Sequence, residues 1–403
     1  MMRVMNFDEG SFEDPSTSTY WQKFSVPFEY PVVFTRDIFS VANGSLVRAI
    51  TRGEGAKTQR CLVFVDGGVL SAQPGLPERI EDWFATRPEL ELAGEIVTVP
   101  GGEAVKREAT HFERVQDEVH RRGIDRHSYV VVIGGGAVLD AVGLGAALAH
   151  RGVRLVRVPT TVLAQNDSGV GVKNAVNLKG YKNFTGTFAP PWAVVNDFDF
   201  LERLPRRDRI SGIAEAVKVA LIRDGSFFVW LEQNTDRLTA FEREAEEWMV
   251  RRSAEIHMAQ IARGGDPFEM GSARPLDFGH WAAHKLETLS DHAVTHGEAV
   301  AIGIALDTRY SVLSGLLAEG ADERVAALLE RLGFRLFHPA LVAPDASGRP
   351  ALLAGLDEFR QHLGGELTIT LLKELGTGIE VHEIDADLVA EALAWLEARG
   401  AVS

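Results

Sequence analysis

The chain has one cysteine, Cys61, so no disulfide can form within it and an oxidising compartment is not implied. Cys61 sits in the apolar run CLVFV, where a buried structural thiol is expected rather than a nucleophile. Positive charge is also short. Lys plus Arg number 42 against 57 Asp plus Glu, a net charge of −15 that repels phosphate backbones and anionic lipid, so neither nucleic acid nor a membrane surface is expected as a partner. No uncharged apolar run reaches the roughly 18 residues of a membrane span. The start, MMRVMNFDEGSFED, has acids where a secretion signal needs a basic and then apolar stretch. A cytoplasmic location follows as the expectation. There is no internal repeat and no low-complexity tract.

What is present is ordinary globular composition, 45% hydrophobic and 25% charged over 403 residues, enough chain for two packed domains. The polar residues 1–19 read as a flexible lead-in. Short β-branched runs at Tyr30 to Phe34, Cys61 to Val65, Glu95 to Val99, Tyr129 to Ile133 and Leu155 to Val158 then alternate with helical patterns. Such alternation predicts an α/β domain with a parallel sheet, assigned to 20–196. Beyond Asn196 the three- and four-residue apolar spacing of helices dominates, at Glu244 to Ala262, Ala299 to Leu316, Val325 to Leu332 and Ala386 to Ala398. Residues 197–403 therefore read as a mainly helical domain, with one late strand at Leu367 to Leu372.

Three features carry chemistry. In SYVVVIGGGAVLDAVGLG an apolar strand meets Gly134, Gly135 and Gly136 and then a helix with Asp140 in its first turn, an arrangement that suits a pyrophosphate at a helix N-terminus. A tight turn with no ligand explains the same glycines, and the spacing is not G-x-G-x-x-G. Thr160 and Thr161 end the next strand, and Asp66 in VFVDGG stands where a ribose hydroxyl could bind or where a turn forms. Second, Arg151, Arg154, Arg157, Lys173, Lys179 and Lys182 are opposed only by Asp167. With glycines and asparagines interleaved in GVGVKNAVNLKGYKNFTG, this reads as a cationic loop moulded around a phosphate or carboxylate rather than a solvated face. Third, Glu215 and Lys218 share a helical face, and His280 and His284 lie one helical turn apart ahead of His296. Two histidines and a carboxylate form a catalytic zinc set, and spacing alone names His280, His284 and a carboxylate. His257 and His292 have no such company.

GGGAVLD, VPTTVLAQNDSGVGVK, GYKN, SGIAEAVK, FGHWAAH and HGEA stand in the order and approximate spacing seen in dehydroquinate synthase and its relatives, the sugar phosphate cyclases, and the chain resembles that family from about Val26 to Val389. The resemblance implies a dehydroquinate synthase-like fold, α/β plus α: a Rossmann-like NAD-binding domain, a helical metal-binding domain and usually a homodimer. It implies Zn2+ (or Co2+) on Glu215, His280 and His296, replacing the set chosen from spacing, with His284 nearby as a candidate for proton transfer. It implies NAD contacts from Asp66, Glu103, Lys106, Gly135, Gly136, Asp140, Thr160 and Thr161. Asp167, Lys173, Lys182, Asn183 and Lys218 would line the substrate side, with Arg151 reaching the substrate phosphate from the neighbouring subunit.

Departures from the dehydroquinate synthase pattern point to the substrate. Met258 aligns with the lysine that binds the substrate carboxylate there, Asp277 replaces an asparagine, and EFRQHLGG (Glu358 to Gly365) resembles the cyclases of sedoheptulose 7-phosphate, which bears a hydroxymethyl group instead. Retention of His284, where 2-epi-5-epi-valiolone synthases usually have proline, suggests a branch such as 2-epi-valiolone synthase. The expected reaction is transient NAD-dependent oxidation, β-elimination of phosphate, re-reduction, ring opening and intramolecular aldol closure to a C7-cyclitol. The alternatives are 3-dehydroquinate synthase, an NAD- and metal-dependent alcohol or glycerol dehydrogenase, and a catalytically silent binding homologue.

Overall fold

The structure, a computed structural model, describes residues 22–53, 57–178, 181–269, 275–346, 348–362 and 367–401. The lead-in 1–19, Lys179 and the stretch Leu363 to Gly365 of EFRQHLGG lie outside the described residues.

Seven strands form the main sheet: β1 Val32–Thr35, β2 Gln59–Asp66, β3 Leu90–Leu92, β4 Val97–Val99, β5 Tyr129–Gly134, β6 Arg154–Pro159 and, after a hairpin of β7 Lys173–Leu178 and β8 Tyr181–Phe188, β9 Ala193–Asp197. All pairings in this sheet are parallel, in the order β1-β9-β6-β5-β2-β3, with β4 also on β2. Central strand β5 is buried at every residue, as expected where helices cover both faces and the sequence runs apolar without alternation. The order of strand addition reverses between β2 and β5, because β2 continues to β3 and β4 on one side while β5 continues to β6 on the other. Ligands of open α/β sheets bind at such switch points.

The segment expected as a ligand-moulded loop is instead the antiparallel β7–β8 hairpin, with a register shift between Val176 and Leu178. Its glycine at 186 permits close strand approach, since a Cβ there would lie 2.5 Å from the Asn174 carbonyl oxygen.

The helices include α1 Gly136–Leu148 behind the glycine turn, then α2 Ile213–Arg223, α3 Gly225–Gln233, α4 Arg243–Arg263, α5 His280–Leu289, α6 His296–Leu313 and the late α7 Ala386–Gly400. Helix α2 is buried from Ile213 to Ile222, the signature of a central helix apolar on all sides, and its apolar residues join α5 and α6 in one core. Glu215 and Lys218 are the two charged groups inside that stretch. The late strand is one arm of a second hairpin, β10 Ile369–Glu374 with β11 Thr377–Val381. No helix among the described residues is long and apolar enough to cross a membrane.

Candidate metal and nucleotide site

The starts of two helices bring histidines to Glu215. Helix α6 begins at His296 because Thr295 and Glu298 form a reciprocal capping box, with the Thr295 N–H donating to Glu298 Oε2 at 2.9 Å. Helix α5 begins at His280, after Gly279 in the left-handed region at φ +76°. The His280 Nδ1–H donates to the Phe278 carbonyl oxygen at 3.0 Å, which leaves Nε2 as the lone-pair nitrogen, 3.6 Å from Glu215 Oε1. His296 Nε2 lies 3.4 Å from the same oxygen. Tetrahedral Zn2+ with ligands at about 2.1 Å separates them by roughly 3.4 Å, so these edges suit one ion. Glu215 is fully buried and neither carboxylate oxygen makes a well-formed hydrogen bond among the described residues, although Lys218 Nζ stands 2.5 Å from Oε2. A carboxylate so placed fits a cation.

Spacing had paired His280 with His284. The structure holds both imidazoles near His280, with ring centroids 5.4 Å away for His284 and 5.6 Å for His296, but groups Glu215 and His280 with His296, while His284 joins a neighbouring group with Glu287 and His296. Glu287 escaped the sequence reading, although HWAAHKLE sets it three residues after His284 on the same helix. It accepts from His296 Nδ1 at 2.8 Å and from Lys182 Nζ at 2.6 Å. A carboxylate so placed would orient the imidazole were it to bind a metal. Burial alone would lower the His296 pKa, as does Lys182, yet Glu287 and Glu215 raise it to about 9. Burial, with the Lys182 cation, holds His284 well below the ordinary imidazole range and therefore neutral. Against its burial, Lys218 and the two histidines keep Glu215 ionised.

At the glycine turn, β5 and β6 run in register from Tyr129 and Arg154 to Gly134 and Pro159, and the Thr160 N–H donates to the Gly134 carbonyl at 3.0 Å. Thr160 and Thr161 are thereby brought beside Gly135 and Gly136. A Cβ at Gly136 would lie 2.5 Å from Ser168 Oγ, so a side chain there would crowd that hydroxyl. No side chain caps the N-terminus of α1, and the buried hydroxyls of Thr160 and Ser168 have no hydrogen-bond partner among the described residues. Open N–H groups and orphan hydroxyls at a switch point fit a pyrophosphate. Asp66 ends β2 and caps the next turn, accepting from the Gly68 N–H at 2.7 Å, and burial raises its pKa.

Lys106 is 3% exposed and donates to Asp140 at 2.9 Å and to Asn183 at 2.5 Å. Asn183, at φ +54°, donates its own N–H to Asn177, which donates its amide to Glu103 at 2.9 Å. Lys182 and Asn183, adjacent on β8, thus stand between the candidate metal cluster and α1, which they reach at Asp140, beyond the first turn where the sequence reading placed it.

On the remaining face Lys218 Nζ lies 3.6 Å from Asp167, and Lys173 pairs with Glu269 at 2.6 Å. The Asp277 charge acts on both lysines. His257, read from sequence as isolated, donates to Asp167 at 2.7 Å. Contacts between α4 and the segment after β6 leave no local sequence signal. Three expected cations are elsewhere. Arg157 is fully buried within the α/β part and donates to the carbonyls of Gly169, Gly171 and Lys173 and to Asn174. Arg154 lies over the rings of Tyr129 and Trp192. Arg151 is exposed before β6, at the opposite end of the strands from the glycine turn. Met258 packs on Val170, Val194 and Ala254.

Family models described as 3-dehydroquinate synthase N-terminal and C-terminal match residues 96–211 and 212–347. A 3-dehydroquinate synthase of Cereibacter sphaeroides is 36% identical over 313 residues, 77% of this chain and 83% of that protein. A 2-epi-5-epi-valiolone synthase of Streptomyces glaucescens is 35% identical over 297 residues, 73% of this chain and 74% of that protein. Among solved structures, the 2-epi-5-epi-valiolone synthase ValA of Streptomyces hygroscopicus subsp. jinggangensis, with NAD+ and Zn2+ bound, aligns at a TM-score of 0.83 and 28% identity, covering 94% of this chain and 100% of that one. With both halves of the family pattern matched in order and the fold in agreement, the chain belongs to the 3-dehydroquinate synthase family, the dehydroquinate synthase-like sugar phosphate cyclases.

Proposed function

We propose that this chain is an NAD- and metal-dependent, phosphate-eliminating cyclase that converts sedoheptulose 7-phosphate to a C7-cyclitol, 2-epi-valiolone or 2-epi-5-epi-valiolone, as a cytoplasmic homodimer divided near Asn196 into nucleotide and metal domains. The observation that carries this reading is a pair of polar chains that start from the neighbouring residues Lys182 and Asn183 of β8, one running through Glu287 to His296 in the group with Glu215 and His280, the other through Lys106 to Asp140. Such an arrangement would set a metal beside a nucleotide turn with cations between them, as a sugar phosphate requires.

When bound, NAD+ supplies a reversible two-electron acceptor and Zn2+ or Co2+ supplies Lewis acidity. The chain's own groups do the rest. Glu215, His280 and His296 hold the metal, while the glycine turn, Thr160, Thr161, Asp66, Glu103, Lys106 and Asp140 form the nucleotide side. Lys182, Lys173 and Asn183, with Arg151 of a second copy, take the charge of the departing phosphate. Exposed Phe28 and Phe188 share a cavity lining with Arg151, which supports a covered face there. Asp167 and Lys218 orient ring hydroxyls. Neutral His284 can accept a proton during ring opening or closure.

Asp277 supports the hydroxymethyl substrate, because a second carboxylate beside Asp277 would meet like charge. A second reading, 3-dehydroquinate synthase, is favoured by retained His284 and by the 36% identity to such an enzyme. The deciding experiment supplies NAD+ and Zn2+ or Co2+ with either sedoheptulose 7-phosphate or the carboxylate-bearing seven-carbon sugar phosphate that yields 3-dehydroquinate. Phosphate release and a cyclitol by NMR from the first alone is expected. Turnover of the second alone would establish the second reading, and NADH accumulating from glycerol without phosphate release would indicate a dehydrogenase.

A further inference from the structure

Helix α6 bears on the candidate metal cluster at two points. Its first residue is His296, and about three turns later on the same face stands Asp307, 2% exposed in the helical core. Asp307 Oδ2 accepts the backbone N–H of Gly279 at 3.0 Å, and Oδ1 accepts the indole N–H of Trp281 at 2.9 Å. Gly279 and Trp281 are the residues on either side of His280. Between the two contacts the helices touch: a Cβ at Gly303 would lie 2.0 Å from the Gly279 carbonyl oxygen. Backbone of the α5 start is therefore pressed against α6 and pinned there by one buried carboxylate.

We propose that Asp307 is a positioning residue for the metal centre, which fixes the His280 backbone relative to His296 by clamping both of its neighbours. The inference rests on the reading of Glu215, His280 and His296 as metal ligands. The division of labour is specific. Phe278 sets the rotation and tautomer of the His280 ring through its carbonyl, whereas Asp307 sets where the residue stands. Because Asp307 and His296 share one rigid helix, displacement of α6 carries both histidines together, and the spacing of the two Nε2 atoms is preserved. Carboxylates that hydrogen-bond a ligand directly govern metal affinity by about 10–100-fold, and Asp307, bonded to both neighbours of the ligand, is expected at the lower end of that range.

The test uses the full chain stripped of metal, with Zn2+ affinity measured by chelator competition, the Co2+ visible spectrum, NAD+ binding and thermal melting. Asp307→Asn keeps the shape but offers one acceptor oxygen and turns an N–H toward a donor. It is expected to weaken Zn2+ binding at least tenfold and shift the Co2+ spectrum with NAD+ binding unchanged. Trp281→Phe removes one of the two bonds and should weaken Zn2+ binding by less. A folded Asp307→Asn with a lower melting temperature but parental Zn2+ affinity and parental Co2+ spectrum overturns the proposal, since a merely structural carboxylate would behave so. If Asp307→Asn does not fold, parental Zn2+ affinity in Trp281→Phe overturns it. Glu215→Ala separates the two readings: retained metal there defeats the ligand set itself, whereas lost metal beside an unaffected Asp307→Asn defeats the clamp alone.

Discussion

The ammonium of Lys182 and the carboxylate of Glu287 meet at 2.6 Å across the cleft, one on strand β8 and the other on helix α5. The pair is nearly sealed, with side chains 15% and 2% exposed. Burial of such a pair costs desolvation of both ions, so its contribution is better sought in orientation than in stability. Glu287 holds His296 with the same oxygen that Lys182 approaches, and the hairpin thereby touches the candidate metal cluster through a single intermediary.

Glu287→Gln should expose that dependence. The amide keeps an oxygen for the His296 N–H but removes the charge that balances Lys182, and Zn2+ affinity is expected to fall about 10–100-fold. Glu287→Ala adds a loss of stability of about 3 kcal/mol, because a buried ammonium is left without its partner. Chelator competition and chemical denaturation read the two effects separately, and parental metal affinity in Glu287→Gln would contradict the assigned role.

Asp277→Asn tests substrate choice. Removing the carboxylate beside Lys173 and Lys218 should move the ratio of kcat/KM values at least tenfold toward the carboxylate-bearing sugar phosphate, an effect of about 1.4 kcal/mol. An unchanged ratio would remove Asp277 from the selection. Met258→Lys is expected to act differently from what sequence alignment suggests. Its thioether packs on Val170, Val194 and Ala254, so a lysine there should lower the melting temperature through a charge set against apolar groups.

The strands were legible where burial on both faces leaves a continuous apolar run: Tyr129 to Ile133 was expected and Tyr129–Gly134 is found. Helix α4 was legible from its period, with Glu244 to Ala262 expected and Arg243–Arg263 found. The β7–β8 hairpin was not, because its strands carry lysine, asparagine and glycine where alternating apolar residues would reveal a sheet. In the site, spacing finds only partners on one helix. His280 and His284 share α5 and invite pairing, whereas His296 meets His280 through the packing of two helix starts, which no local pattern encodes. Charge was the weakest guide. Arg157 and Lys173 stand in the same cationic stretch, yet one satisfies buried carbonyls and the other is half exposed beside Glu269.

Asp224 provides a pH test far from the cleft. Its carboxylate caps α3 at the N–H groups of Ser226 and Phe227, at 3.1 and 3.0 Å, and binds Arg252 at 2.5 Å. Partial burial opposes ionisation, but the Ser226 hydroxyl and Arg252 prevail and lower the pKa. A carboxyl whose folded pKa lies below its unfolded value of about 3.9 contributes stability that is complete above that value and lost as pH falls through the folded one. Asp224→Ala should therefore cost about 1–2 kcal/mol at pH 7, and less as pH drops below about 4. Urea denaturation across that range checks it, and a penalty constant with pH would show that charge is not involved.

The single thiol has a practical consequence. Cys61 is fully enclosed in β2, and burial, with the Glu91 charge, pushes its pKa far up, so a maleimide has nothing to attack on the native chain. Cysteines introduced at exposed Tyr181 on the hairpin and exposed Thr288 on α5 would then take fluorophores without background. Energy transfer between those dyes would follow the width of the cleft in solution as ligands are added, with the native sulfur silent throughout.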